Sequence, residues 1–270
     1  MSTSALPSVA ARPSFVRSLA IQMRVIGAVL MREIHTRYGR DNIGYLWMIA
    51  EPLMFGTVIA LMHIGQTSHD SDFNPITFSV VGYTIFIMFR AIVSRSDGVM
   101  AGNAPLLYHR MVTVFDIVLA RALLEAAGSF VSFVILLSLL IAIGYAHFPV
   151  RPLMLLLGIA YVFWFAFSLS MLIVGGTYEN RTLERLIHPF TYFMIPLSGA
   201  FYRVGWLPQP YRHYLLWFPF PQFFEIVRYG AFQNTSLEYV NFVYITGIML
   251  ALTFLGLIAV RSVRQRIQLN

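Results

Sequence analysis

The sequence predicts an all-α integral membrane protein with six transmembrane helices. Of its 270 residues, 58% are hydrophobic and only 11% are charged, whereas soluble domains carry about 25% charged residues. Apolar stretches recur that are long enough to cross a bilayer, since about 20 helical residues span its core. Arginine is also distributed unevenly between the connecting segments, as the positive-inside rule describes for membrane proteins.

The six predicted spans cover about 43–64, 75–94, 114–145, 152–177, 186–200 and 240–260. They belong to a single transmembrane domain, residues 41–270. Fifteen of the 19 arginines lie in the N-terminal segment, in the second-to-third and fourth-to-fifth connections with their flanks, or in the C-terminal tail. Both termini are therefore expected in the cytoplasm, and the arginine-free loop 66–74 is expected outside.

The N-terminal region precedes the first span. Residues 1–13 are small and polar, lack the apolar core of a secretory signal, and are expected to form a disordered tail. Residues 14–40 predict an amphipathic helix in the cytoplasmic interface, with Val16 and Met23 on the apolar face and Arg17 on the polar face. This helix either serves as an anchor only or also packs on a cytoplasmic partner.

The segment 95–113 joins the second and third predicted spans on the cytoplasmic side. It is expected to expose Leu106, Leu107 and Tyr108. It either lies on the surface or docks into the groove of a partner. Together with Arg37, these residues are the candidates for contact with a partner that supplies energy.

The segment 201–239 is too interrupted by proline to span a membrane and too apolar for an open loop. Broken helices at membrane depth are tolerated only where they are buried in protein or line a cavity. The sequence therefore predicts two short re-entrant helices on the external side, in pieces such as 211–218 and 222–232, with Glu225 and Arg228 as their charges. The many aromatic residues either anchor the segment at the bilayer interface or contact sugar along a path. The candidate path aromatics of the whole chain are Trp47, Tyr202, Trp206, Tyr214, Trp217 and Phe223.

Ionisable residues inside predicted spans are costly and usually face partners or water-filled cavities. The candidates are Glu51, Arg90, Arg121 and Glu125. Arg121 and Glu125 are four residues apart on one helix face and are expected to pair. The four residues form either an ion-pair network that fixes helix packing or the polar wall of a conduit.

Several chemistries are excluded by composition. The chain contains no lysine, so it cannot use a P-loop to hydrolyse ATP or form a Schiff base. It contains no cysteine, and its seven histidines lack metal-binding spacing. No catalytic residue, metal site or nucleic-acid partner is expected.

Three patches, in chain order, resemble the membrane subunit of ABC-2 type exporters, most closely the permeases of Gram-negative capsular polysaccharide export. The first runs from Arg32 to Pro52 as REIxTRYGxxxxGYLWxxxEP. The second is ARALLE, residues 120–125, and the third is YLLWxP, residues 214–219, followed by Glu225 and Arg228. The resemblance covers nearly the whole chain.

The resemblance implies a homodimer that works with two ATP-binding subunits, which would carry ATP and Mg²⁺, while this chain holds no cofactor. It implies movement of a lipid-linked polysaccharide across the inner membrane, with a periplasmic co-polymerase and an outer-membrane export protein continuing the path. An O-antigen or teichoic-acid permease is an alternative within the same class. A membrane enzyme for lipid-linked sugars and a proton-coupled carrier, with Glu51 as its proton site, are alternatives from other classes.

Overall fold

The computed structural model describes residues 15–38, 44–63, 74–96, 98–108, 112–178 and 180–267. Within these ranges the chain forms ten α-helices and one 3-10 turn, with no strand. The predicted tail 1–13 and nearly all of the loop 66–74 lie outside them. The all-helical class is thereby confirmed.

The helices follow one another along the chain with short connections. Their bounds are α1 Phe15–Tyr38, α2 Gly44–Met62, α3 Pro75–Ser94, α4 Val99–Tyr108, α5 Val114–Ile143, α6 Pro152–Thr177, α7 Arg181–Ser198, α8 Tyr211–Leu216, α9 Pro219–Ala231 and α10 Phe242–Ile267, with the 3-10 turn at Val204–Trp206.

Caps and prolines set several helix ends. Asn74 caps α3 by accepting a hydrogen bond from the Ile76 amide at 3.0 Å. At the start of α5, Thr113 and Asp116 form a reciprocal capping box. The prolines that begin α3, α6 and α9 stand where a helix leaves its first amides unbonded, so their missing N–H costs nothing there. α5 ends at Gly144, whose φ of 87° lies in the left-handed region.

Among the described residues, four helices are long and apolar enough to cross a membrane, namely α3, α5, α6 and the Phe242–Val263 part of α10. The apolar stretch of α2, Ile49–Met62, is shorter. α7 is 18 residues long and carries charged residues and two prolines. The prediction of a multi-pass membrane protein is confirmed, whereas the number of six spans stays a prediction.

α6 is the centre of the helix bundle and packs against α9, α10 and α3. Close approach between α6 and α9 depends on glycine, since a Cβ on Gly158 would lie 2.7 Å from a Val227 methyl group. Buried phenylalanine rings fill the space between α3, α6 and α9, with the Phe89 and Phe220 ring centroids 4.5 Å apart. In a membrane such packing, rather than release of water, holds helices together.

The two halves of α1 have different surroundings. The C-terminal half packs on the bundle through the buried side chains of Ile26 and Val29. The N-terminal half exposes Val16, Met23 and Phe15. An exposed apolar surface on a helix with arginines is what an interfacial helix presents to lipid.

Candidate functional site

A polar cavity of about 520 Å³ lies between α2, α3, α5 and α7. Each helix contributes residues spaced about three or four apart, which places them on one face. They include Trp47, Glu51 and Phe55 of α2, Tyr83, Arg90 and Ser94 of α3, Arg95 at the end of α3, Glu125 and Ser129 of α5, and His188 and Tyr192 of α7. Three predicted charged residues, Glu51, Arg90 and Glu125, are therefore brought together, and so is the predicted path aromatic Trp47.

Glu51 lies in α2 with its side chain exposed to this cavity. It makes no ion pair or side-chain hydrogen bond within the described part of the chain. The following residue, Pro52, is buried in the helix and also contacts the cavity. A carboxylate accepts hydrogen bonds only, so Glu51 offers acceptors to whatever occupies the cavity.

Arg90 of α3 contacts Tyr192 of α7 in two ways. Its guanidinium donates a hydrogen bond to the Tyr192 hydroxyl, and its Cζ lies 4.1 Å from the centroid of the ring. A cation over an aromatic face is stabilised by the ring quadrupole. The contact fixes the head of Arg90 against α7 without neutralising its charge.

Arg95 and Glu125 form an ion pair at the cavity wall. The Arg95 Nε and the Glu125 Oε1 are 3.0 Å apart, and the Glu125 side chain is only 5% exposed. A carboxylate that is this buried is stable as an anion only with a partner. The cavity therefore holds one neutralised pair beside Glu51 and Arg90.

Arg121 lies one turn before Glu125, outside the cavity lining. Its Nε is 2.8 Å from Glu33 Oε1 of α1, and its Nη1 donates to the Arg95 carbonyl at 3.5 Å. Glu125, the expected partner of Arg121 on its own helix, forms an ion pair with Arg95, and the pairing of Arg121 with Glu125 stays a prediction. Polar contacts thus lead from α1 through Arg121 and Arg95 to the cavity wall.

Two further contacts join α1 to the same region. Arg32 donates to the Asn103 side chain of α4 at 2.9 Å, and Asn103 is buried. Gln22 donates to Asp116 at the start of α5, at 3.2 Å. α1 is therefore fixed to α4 through Arg32 and to α5 through Gln22.

The predicted contact residues on α4 differ from expectation in exposure. Leu106 and Leu107 are half-buried rather than exposed, because α4 lies against the bundle and Leu107 packs on its core. The side chains of Tyr108 and Arg37 lie outside the described part of the structure.

The predicted aromatic residues of the external segment divide into two groups. Tyr214 and Trp217 are 73% and 71% exposed, and Trp206 is 40% exposed. Tyr202 is half-buried, and its hydroxyl donates to the Pro196 carbonyl at 2.8 Å. Phe223, in contrast, is completely buried.

The burial of Phe223 has a simple cause. It lies on the face of α9 that packs on α6, where its ring stacks on Tyr161 at 5.4 Å between centroids. A side chain in that position fills the helix core and does not reach the cavity or the exterior. Its proposed role on a path has no support from its surroundings.

Glu225 and Arg228, the predicted charges of the re-entrant segment, form a buried ion pair at 3.2 Å. Glu225 Oε1 also accepts a hydrogen bond from the Val204 amide at 2.9 Å. Arg228 donates to the Gly199 carbonyl and lies over the Phe78 ring, with Cζ 4.5 Å from its centroid. The pair thereby joins α9 to α3, to the end of α7 and to the 3-10 turn.

The sequence does not single out Arg95, His188 or Tyr192, although all three line the cavity. A signal existed for two of them, because His188 and Tyr192 are four residues apart on a helix with a polar N-terminal half. The sequence carried no such signal for Arg95, because an arginine directly after a span is typical of a cytoplasmic flank and indicates orientation only.

Comparison with known proteins identifies relatives of nearly full length. Residues 24–232 match the model of the ABC-2 type transporter family. The chain is 39% identical over 247 residues to the capsule polysaccharide export inner-membrane protein CtrC of Neisseria meningitidis serogroup B, covering 91% of this chain and 93% of the relative. It is 35% identical over 256 residues to BexB of Haemophilus influenzae, which has the same description, covering 94% and 97%. It is 30% identical over 252 residues to the polysialic acid transport protein KpsM of Escherichia coli, covering 90% and 94%.

Proposed function

The chain belongs to the ABC-2 type transporter family, and on that premise we propose that it is the transmembrane subunit of an ATP-driven exporter of lipid-linked capsular polysaccharide. The observation that carries this function is the likeness, over at least 90% of the chain, to two capsule polysaccharide export inner-membrane proteins and to a polysialic acid transport protein. It is a multi-pass protein of the inner membrane and a transport subunit, not an enzyme.

The proposed topology has six spans, formed by α2, α3, α5, α6, α7 and α10. α8 and α9 are re-entrant on the external side, α1 lies in the cytoplasmic interface, and both termini are cytoplasmic. Burial of α9 in the bundle supports the re-entrant assignment, because short helices at membrane depth must be enclosed by protein. The exposed apolar side chains at the start of α1 support its interfacial position.

The proposed assembly is a homodimer with two ATP-binding subunits. ATP and Mg²⁺ belong to those subunits, since this chain contains no lysine for a P-loop. In the capsule branch a periplasmic co-polymerase and an outer-membrane export protein continue the path. An O-antigen or teichoic-acid permease remains the alternative, and the names of the relatives favour capsule export.

The proposed entry point for motion is α4 together with α1, including Leu106, Leu107, Tyr108 and Arg37. α1 is bonded to α4 through Arg32, so the two helices would move together when the ATP-binding subunits close. The contacts from Glu33 through Arg121 to Arg95 would carry the displacement to the cavity wall.

The proposed path runs along α2 and α7, which line the cavity and would face a second copy of the chain. Trp47 and Glu51 contribute an aromatic face and a carboxylate to its wall. Trp206, Tyr214 and Trp217 would contact the polymer at the exit, where many weak, similar contacts allow sliding.

A reconstitution experiment tests the proposed function. The chain is co-expressed with a candidate ATP-binding subunit from the same organism. The complex is purified and assayed for ATP turnover, and export of surface polysaccharide is measured in cells. We expect co-purification, and loss of export when the ATP-binding subunit carries a substitution of its catalytic residue. Export that persists with that variant, or that collapses on dissipation of the proton gradient at constant ATP, would contradict the proposal and favour a proton-coupled carrier.

A further inference from the structure

Within the described residues, two groups of opposite charge face the cavity without an ion pair. Glu51 makes no ion pair there, and the hydrogen bond and the cation–π contact of the Arg90 side chain are both with the neutral Tyr192. Their neighbours Arg95 and Glu125 are already neutralised by each other at 3.0 Å. A charged side chain within a membrane span is costly unless it contacts a partner or water. We therefore expect Glu51 and Arg90 to bind a ligand or water.

The hydrogen-bonding capacity of the two groups specifies complementary partners. A guanidinium has five N–H donors and no acceptor, and its planar fork matches a carboxylate or phosphate. A carboxylate has acceptors only and is matched by hydroxyl donors. Ser94 adds a hydroxyl in the same wall, and its Oγ has no hydrogen-bond partner among the described residues.

The apolar part of the wall is aromatic. Trp47, Phe55, Tyr83 and Tyr192 line the same cavity. Aromatic faces pack well on flat apolar surfaces such as the C–H faces of sugar rings. The volume of about 520 Å³ is within the range of small-molecule sites and leaves room for more than one monosaccharide.

We propose that this cavity binds an anionic sugar unit, with Arg90 taking its acidic group and Glu51 its hydroxyls. The inference rests on the proposed function and adds to it that the bound sugar unit carries a negative charge. An inorganic anion would satisfy Arg90 alone, and a neutral sugar would satisfy Glu51 and the rings alone. Only a sugar that carries both an acid and hydroxyls matches all of them.

The acidic group has two possible sources, a carboxylate of the sugar itself or the phosphate that joins a sugar to its lipid. Both offer oxygens that a guanidinium binds. Separate probes distinguish them. Tetragalacturonate supplies carboxylates, glucose 1-phosphate supplies a sugar phosphate, and maltotetraose is a neutral oligosaccharide of matched length.

Binding is measured by thermophoresis on the full-length chain in complex with its ATP-binding subunit, in a non-ionic detergent. We expect the wild-type complex to bind at least one acidic probe about tenfold or more tightly than maltotetraose, as one charge-assisted contact allows. Arg90→Gln should remove that preference, and Arg90→Lys should retain part of it. Arg185→Gln removes the same charge from an exposed site on α7 and should leave the preference unchanged.

The acidic probe whose binding weakens in Arg90→Gln identifies the source of the anion. Weakening for either acidic probe supports the inference. Equal binding of all three probes by the wild type would overturn the inference. An acid preference that survives in Arg90→Gln would also overturn it, and is expected if Arg90 pairs with Glu51 and does not bind the ligand. Tyr192→Phe removes the hydroxyl but keeps the ring beneath the guanidinium, so it should retain the preference for the acidic probe. This variant provides a second test if Arg90→Gln is not monodisperse. A complex that exports polysaccharide with ATP but shows no acid preference would keep the proposed function and refute this inference.

Discussion

Breaking the ion pair between Glu225 and Arg228 should destabilise the part of the bundle where α9 meets α3, the end of α7 and the 3-10 turn. The two side chains are 2% and 3% exposed and lie 3.2 Å apart. Arg228 also binds the Gly199 carbonyl and covers the Phe78 ring, while Glu225 binds the Val204 amide. One pair thus connects four segments of the chain, and its loss cannot be confined to α9.

The expected magnitude follows from the burial of both groups. Arg228→Met leaves the Glu225 carboxylate buried without a counter-charge, and such a change costs about 3–5 kcal/mol. Glu225→Gln keeps an acceptor for the Val204 amide but leaves the buried guanidinium without a counter-charge, so its cost is also about 3–5 kcal/mol. The double variant replaces the pair by neutral groups and should be more stable than Arg228→Met alone.

The assay is thermal unfolding of the full-length protein in one non-ionic detergent, followed by the loss of the monodisperse peak in size-exclusion chromatography. A single heating rate is used throughout, because irreversible unfolding makes the midpoint depend on that rate. Arg185→Met serves as the exposed control and should not change the midpoint. If the decrease in midpoint of the double variant equals the sum of the two single decreases, the two charges do not interact and the reasoning is refuted.

Two further predictions concern packing and coupling. Gly82→Ala should sharply lower the yield of folded protein, because a Cβ there would lie 1.9 Å from the Ala200 carbonyl oxygen. Gly247→Ala is the control and should be tolerated, because a Cβ there would have no neighbour within 4 Å. Equal yields of the two variants would contradict this packing. Glu33→Gln should reduce export more than ATP turnover, because it weakens the 2.8 Å contact of α1 with Arg121 of α5. Arg24→Gln, on the exposed face of α1, is the control and should change neither export nor ATP turnover. If Glu33→Gln reduces both in the same proportion, the contact has no coupling role.

Helix ends were largely predictable from local chemistry. The apolar stretches at 75–94 and 152–177 have the same bounds as α3 and α6, because a proline at the first helical position marks the start of each. α7 begins at Arg181, five residues before the predicted start, since Asn180 caps it and its polar first turns do not resemble a span. Periodicity and hydropathy detect apolar stretches, so they miss the polar first turns of such a helix.

The site was only partly predictable, for a different reason. A carboxylate inside a span must face protein or water, so the place of Glu51 at a cavity follows from its cost in lipid. Ion pairs between helices depend on how the helices pack, which local spacing does not contain. The contact of Arg121 with Glu33, 88 positions away in the sequence, is an example. Phe223 was likewise grouped with aromatic residues that are exposed, because composition does not show that α9 is buried on nearly all sides.

Photo-crosslinking during export tests most directly whether the cavity between α2 and α7 is the polysaccharide path. Benzoylphenylalanine replaces Phe55, which lines the cavity, or Phe254, an exposed residue of α10, as the matched control. We expect polysaccharide adducts at position 55 only while the ATP-binding subunit is active, and lipid adducts alone at position 254. Polysaccharide adducts at both positions alike, or at neither during active export, would contradict a path through this cavity.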